Sequence, residues 1–118
     1  TSFEFKKMFD AEAVDYAQPS VTKVGGITEF KKISSLADNY GVQVMPHSPY
    51  FGPGFLATLH LAQSMPNPGL LERFFIDFEA YLYPEKTFNP KDGFFEISDQ
   101  IGLGLDPDID VIKDYRIK

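Results

Sequence analysis

Cysteine is absent from the 118 residues. That excludes a disulfide framework, thiolate chemistry and a cysteine-based zinc site, and it agrees with a reducing compartment. Basic residues are few: 11 Lys and Arg stand against 17 Asp and Glu, for a formal charge of −6. They are scattered, with no run longer than Lys6-Lys7 or Lys31-Lys32. Nucleic-acid partners leave a basic footprint, so nucleic acid is not expected as the partner. No apolar run approaches the ~18 residues of a membrane-spanning helix, and the residues after Thr1 lack a leader pattern. No internal repeat or low-complexity segment is present. The expectation is a cytoplasmic protein without a membrane partner.

What is there is a globular composition, 43% hydrophobic and 24% charged, enough for one small domain with a core. Thr1-Ser2-Phe3-Glu4 has the form of a capping box, and a chain that opens on a helix cap without Met points to further sequence upstream. A first helix is expected from Ser2 to Ala11, burying Phe5, Met8 and Phe9. A strand follows over Val14–Gln18 and breaks at Gly25-Gly26. Thr28 caps a second helix to Tyr40, with Ile27, Phe30, Ile33, Leu36 and Ala37 on its apolar face and Gly41 past its end. A third helix spans Gly54 to Ser64, with Leu56, Leu59 and Ala62 inward. After the turn Pro66-Asn-Pro-Gly69, Leu70–Phe75 reads as a third strand. Strands alternating with helices of this length mean parallel βα units, an α/β class. The remainder is irregular: an aromatic stretch, a hairpin-like turn at Phe88–Phe94, a loop at Gly102-Leu-Gly104, and a short helix from Asp106-Pro107 to Tyr115.

The stretch that organises these elements is Gly41-Val-Gln-Val-Met-Pro-His47. Val42 and Val44 alternate as in a buried strand, and a Pro/Gly-rich loop follows at once. A residue that closes such a strand stands where α/β folds place ligands. His47 is thus either an acid/base group, for which imidazole is suited, or a structural histidine. His60 falls on the helical face of Leu56 and Leu59 and reads as structural. Asp106, Asp108 and Asp110 form no calcium loop, because Val111 and Ile117 occupy the positions that need Gly and Glu. Gly102-Leu-Gly104 lacks the third glycine of a dinucleotide site.

Taken in order, Val14-Asp-x-x-x-Pro19, Lys23-Val-Gly-Gly-Ile-Thr28, Pro46-His47, His60-Leu-Ala62, Leu71-Glu72 and Gly102-Leu-Gly104 resemble the C-terminal part of the mandelate racemase/muconate lactonizing branch of the enolase superfamily. The resemblance implies three parallel βα units from the C-terminal half of a (β/α) TIM-like barrel, over residues 1–75, and an irregular closing tail over 76–118. These units would hold the sixth to eighth barrel strands. Such a piece leaves sheet edges open and is not expected to be a stable monomer alone.

The resemblance also implies an enzyme that removes a proton α to the carboxylate of a hydroxy or sugar acid. An acid-sugar dehydratase is favoured; a racemase or epimerase is the alternative. Mg²⁺ would be the cofactor, with its ligands upstream of Thr1 and none in this chain. The implied partners are the acid, the rest of the barrel with its lid domain, and further copies in a homo-oligomer. His47 would be the acid/base catalyst. Glu72 would donate a hydrogen bond to the substrate carboxylate, against the plainer alternative of an ion pair with Arg73 or another cation. Ser48 and Tyr50, in the loop after His47, are substrate-binding candidates. Many relatives orient the histidine with an aspartate where this chain has Ser20, and others carry a catalytic lysine there. Serine supplies neither group, though its hydroxyl can hold the ring or touch substrate. A non-catalytic acid binder or a barrel-completing fragment is therefore the rival reading. Lys23 fits either a substrate contact or a structural role beneath the barrel mouth.

Overall fold

The computed structural model describes residues 1–117. Three helices and two short parallel strands alternate: α1 (Ser2–Asp10), β1 (Tyr16–Ala17), α2 (Ile27–Asn39), β2 (Gln43–Val44) and α3 (Pro53–Ser64). A 3₁₀ helix (Glu85–Phe88) and α4 (Ile109–Asp114) lie in the irregular tail. Among the described residues, no helix is long and apolar enough to cross a membrane. The α/β class expected from the sequence is the one observed.

Local chemistry sets the element ends. Glu4 closes half of the capping box on the Thr1 nitrogen at 2.8 Å. α2 ends in a Schellman arrangement: Gly41, at φ 68°, donates to Asp38 O at 3.1 Å, and Val42 N donates to Ala37 O at 2.9 Å. Its start departs from expectation. Gly26, not Thr28, is the N-cap, because Gly25 and Gly26 adopt φ of 110° and 93° and turn the chain into the helix earlier. Ile27 is consequently exposed, as is Met8 of α1. α4 starts after Asp108 instead of Asp106, since the Asp108 carboxylate accepts from Asp110 N and Val111 N at 2.9 and 3.2 Å. The Lys91–Phe94 turn closes as an antiparallel bridge.

Two cores flank α3. Phe9, Ala17, Phe30, Ile33, Ala37, Val42 and Val44 meet Ala57 and Leu61 on one side. Phe55, Leu56 and Leu59 meet Tyr83 and Phe88 of the tail on the other. A helix covered on both sides is apolar nearly all round, which is why α3 buries Phe55 through Leu59 without interruption.

The expected strand Leu70–Phe75 does not form; among the described residues a parallel bridge between Val44 and Pro68, in the preceding turn, is what pairs with β2 on that side. Gly69 N donates to Val44 O at 2.8 Å. The next rung would need an amide at Pro46, which has none. The rung after that would use Ser48 N, which instead donates to the Glu72 carboxylate. Leu70–Phe75 thus runs beside β2 without a ladder, and Leu70 and Phe75 are exposed.

Candidate active site

β1 and β2 pair Tyr16 with Gln43 and Ala17 with Val44. Their hydrogen bonding continues past the strand ends: Met45 N reaches Ala17 O at 2.9 Å and His47 N reaches Pro19 O at 3.1 Å. This added rung sets His47 level with Pro19-Ser20 at the carboxyl ends of both strands. Chain direction alone brings two of the expected site residues to one edge.

The third segment supplies Glu72. Its Oε2 lies 2.9 Å from His47 Nδ1 and accepts from Ser48 N at 3.0 Å. Ser48 Oγ donates to the Glu72 carbonyl at 2.8 Å. Ser48 is buried at 1% exposure, whereas the His47 and Glu72 side chains are 35% and 37% exposed, so the pair opens onto solvent above a sealed floor. A carboxylate oxygen at this distance from Nδ1 favours a hydrogen on that nitrogen and leaves Nε2 as the ring atom that faces outward. Nε2 makes no hydrogen bond among the described residues.

Tyr50 stands edge-on to His47, with ring centroids 6.1 Å apart at 80°. Its hydroxyl bonds the Ser20 hydroxyl, which also contacts Thr22 Oγ1 at 3.1 Å. Ser20 is 4% exposed and faces Tyr50 and Thr22, with no hydrogen bond to His47 among the described residues. Five of the six residues expected at the site, Ser20, His47, Ser48, Tyr50 and Glu72, are therefore in one connected cluster. Lys23 is not: it lies exposed on the turn after Ser20, its amide bonded to Ser20 O at 3.0 Å.

Two contributors were not legible in the sequence. Thr22 joins the hydroxyl cluster, and the only hint is its spacing from Ser20. Arg73 does not pair with Glu72. Neighbours on an extended segment point to opposite sides, and the guanidinium bonds Phe88 O and, at 3.1 Å, Asn89 Oδ1. It lies 5.0 Å from the Phe51 ring and 4.7 Å from the Phe75 ring. Arg73 thereby fastens the tail to the loop that follows His47. Among the described residues, no three His, Asp or Glu side chains are grouped to hold a metal ion.

Residues 1–111 match the family described as enolase C-terminal domain-like. The chain belongs to that family. The enolase-superfamily resemblance drawn from the ordered motifs is thus correct. The chain is 35% identical over 108 residues to a D-galactonate dehydratase family member of Enterococcus gallinarum, covering 89% of this chain and 27% of that protein. It is 30% identical over 118 residues to the D-xylonate dehydratase of Haloferax volcanii, covering 98% of this chain and 28% of that protein. An enolase from Pantoea ananatis, solved with bound D-gluconate and Mg, superposes with a TM-score of 0.83 at 28% identity. That match covers 100% of this chain and 29% of the enolase. The chain spans little more than a quarter of the length of these curated relatives.

Proposed function

We propose that this enolase-family chain is the C-terminal part of an acid-sugar dehydratase, with His47 as its acid/base catalyst. The observation that carries the reading is a histidine at the carboxyl ends of parallel strands, held at Nδ1 by a carboxylate 2.9 Å away. Its relatives named as D-galactonate dehydratase family member and D-xylonate dehydratase support a sugar acid as the substrate class. In this reading residues 1–75 are three βα units of a (β/α) barrel and 76–118 close it, with the open edges of β1 and of the Leu70–Phe75 segment continuing into further strands. The complete enzyme is a homo-oligomer.

Mg²⁺ would be held by carboxylates outside this chain, where it would supply positive charge to the acid. The steps assigned to this chain are proton transfers. His47 Nε2 takes the proton α to the substrate carboxylate. The same nitrogen returns a proton to the β-hydroxyl, which departs as water with the C–O bonding pair. The histidine ends as it began, and the enol product tautomerises to a 2-keto acid. Tyr50 presents its hydroxyl to a polyhydroxylated acid, held by Ser20, while Ser48 supports the Glu72 segment from beneath and Lys23 offers a charge on the exposed turn after Ser20.

The test is His47→Asn in the intact protein against a panel of aldonic and aldaric acids. Turnover to 2-keto acid falls by at least ~10²-fold, the lower range for a lost acid/base group, while the melting transition is unchanged. Retained turnover would refute the assignment. Exchange of the α proton with solvent deuterium without loss of water would mark a racemase instead. A second reading, an acid-binding protein without turnover, is favoured by Ser20, which brings no carboxylate to the β1 side of His47. Binding of D-gluconate without proton exchange in the unmodified protein would establish it.

A further inference from the structure

The imidazole of His47 has two sides on which a partner can stand. On the β1 side is Ser20, and its hydroxyl is already engaged by Tyr50 and by Thr22 Oγ1 at 3.1 Å. On the other side is Glu72, whose Oε2 meets His47 Nδ1 at 2.9 Å and Ser48 N at 3.0 Å. Glu72 is pinned twice to the residue that follows His47, since its carbonyl also accepts Ser48 Oγ at 2.8 Å. This double attachment depends on Pro46, which removes the rung that would have drawn the segment into a regular strand.

We propose that Glu72 is the positioning residue of His47, taking the orienting role that Ser20 cannot fill. The inference rests on the reading of His47 as the acid/base catalyst. A carboxylate oxygen held by the Ser48 amide and placed 2.9 Å from Nδ1 favours the Nδ1–H tautomer and biases the ring plane. With Oε2 held by the Ser48 amide beside the imidazole, the carboxyl group of Glu72 is turned towards His47. In this proposal Glu72 acts through His47, and the substrate carboxylate binds elsewhere. Ser20 is released to hold the Tyr50 hydroxyl.

The experiment is Glu72→Ala in the intact protein, with the ring tautomer of His47 read by long-range ¹H–¹⁵N correlation and assigned by difference from His47→Asn. Glu72 is more than a third exposed, so the truncation leaves the fold in place. The expected result is an Nδ1–H signature in the unmodified protein that is lost in Glu72→Ala. With D-gluconate as the probe, kcat falls by ~10²–10⁴-fold, the range seen when a histidine loses its orienting carboxylate or its catalytic function, and KM stays within a few-fold. In a His47→Asn background the same Glu72→Ala change costs nothing further. An unchanged tautomer, or a raised KM with kcat retained, overturns the proposal and returns Glu72 to the substrate carboxylate. The tautomer needs no turnover, so an unmodified protein inactive on every acid refutes the dehydratase reading while the tautomer still decides the role of Glu72.

Discussion

Phe88 and Phe94 lie six positions apart in the tail, and by composition nothing separates them. In the fold, Phe88 is 0% exposed and Phe94 is 76% exposed. The Phe88 ring centroid is 5.4 Å from those of both Phe51 and Phe55, and 6.0 Å from Tyr81. Its carbonyl receives the Arg73 guanidinium. Replacing a buried phenylalanine by alanine costs about 3–5 kcal/mol, with the upper end where neighbours cannot collapse into the space. Three aromatic partners joined through α3 and Arg73 are poorly able to collapse, so Phe88→Ala is expected at about 4 kcal/mol. With a urea slope of about 2 kcal/mol per molar, the unfolding midpoint falls by roughly 2 M. Phe94→Ala is expected to stay within about 0.5 kcal/mol. Urea unfolding of the intact protein, followed by circular dichroism, measures both. Equal shifts for the two variants, or a Phe88→Ala shift below about 1 kcal/mol, would refute the placement of the second core on the outer side of α3.

Two further outcomes follow from the same coordinates. The Ser2 amide, which donates to Glu29 Oε1 at 2.6 Å, is the main reason that the Glu29 carboxyl is held at a pKa of about 2, with the Ser2 side chain and Lys32 adding to it. Because the folded value lies below the unfolded one, this contact stabilises the α1–α2 junction fully above about pH 4.5 and is lost as the pH falls towards 2. Protection of the α1 amides against hydrogen exchange, taken relative to the free-peptide rate at each pH, should therefore fall over that window, and Glu29→Gln should flatten the dependence. Gly69 approaches β2 so closely that an added Cβ would lie 2.6 Å from Met45 Cγ and 3.1 Å from Val44 O. Gly69→Ala is expected to cost about 1–3 kcal/mol as an overpacking change, and to weaken the His47–Glu72 contact downstream, visible as lowered thermal stability together with lowered turnover.

Much of the architecture was legible because it is written in short-range chemistry. Gly41 ends α2, and the Val42/Val44 alternation marks β2; each needs only a few neighbouring residues to act. The ordered motifs likewise disclosed the family. The misplaced helix starts, at Ile27 and Ile109, are cases where two capping residues compete within one turn and backbone geometry chooses between them. The missing third strand has a different cause. Leu70–Phe75 has the composition of a strand, but pairing depends on the partner, and the partner carries proline at the rung that matters.

The amino-acid sequence by itself determined that His47 would close a buried strand, and the family resemblance added the expectation that Ser20 stands where relatives carry an acid. Only the tertiary structure decided what happens there. Glu72 reaches His47 across a segment boundary, and Ser20 turns to Tyr50, a residue 30 positions away. Local propensities act over a helical turn or a strand pair. The partner of an imidazole depends on which side chains the parallel register delivers to the same strand end, and that register exists only once the helices have packed.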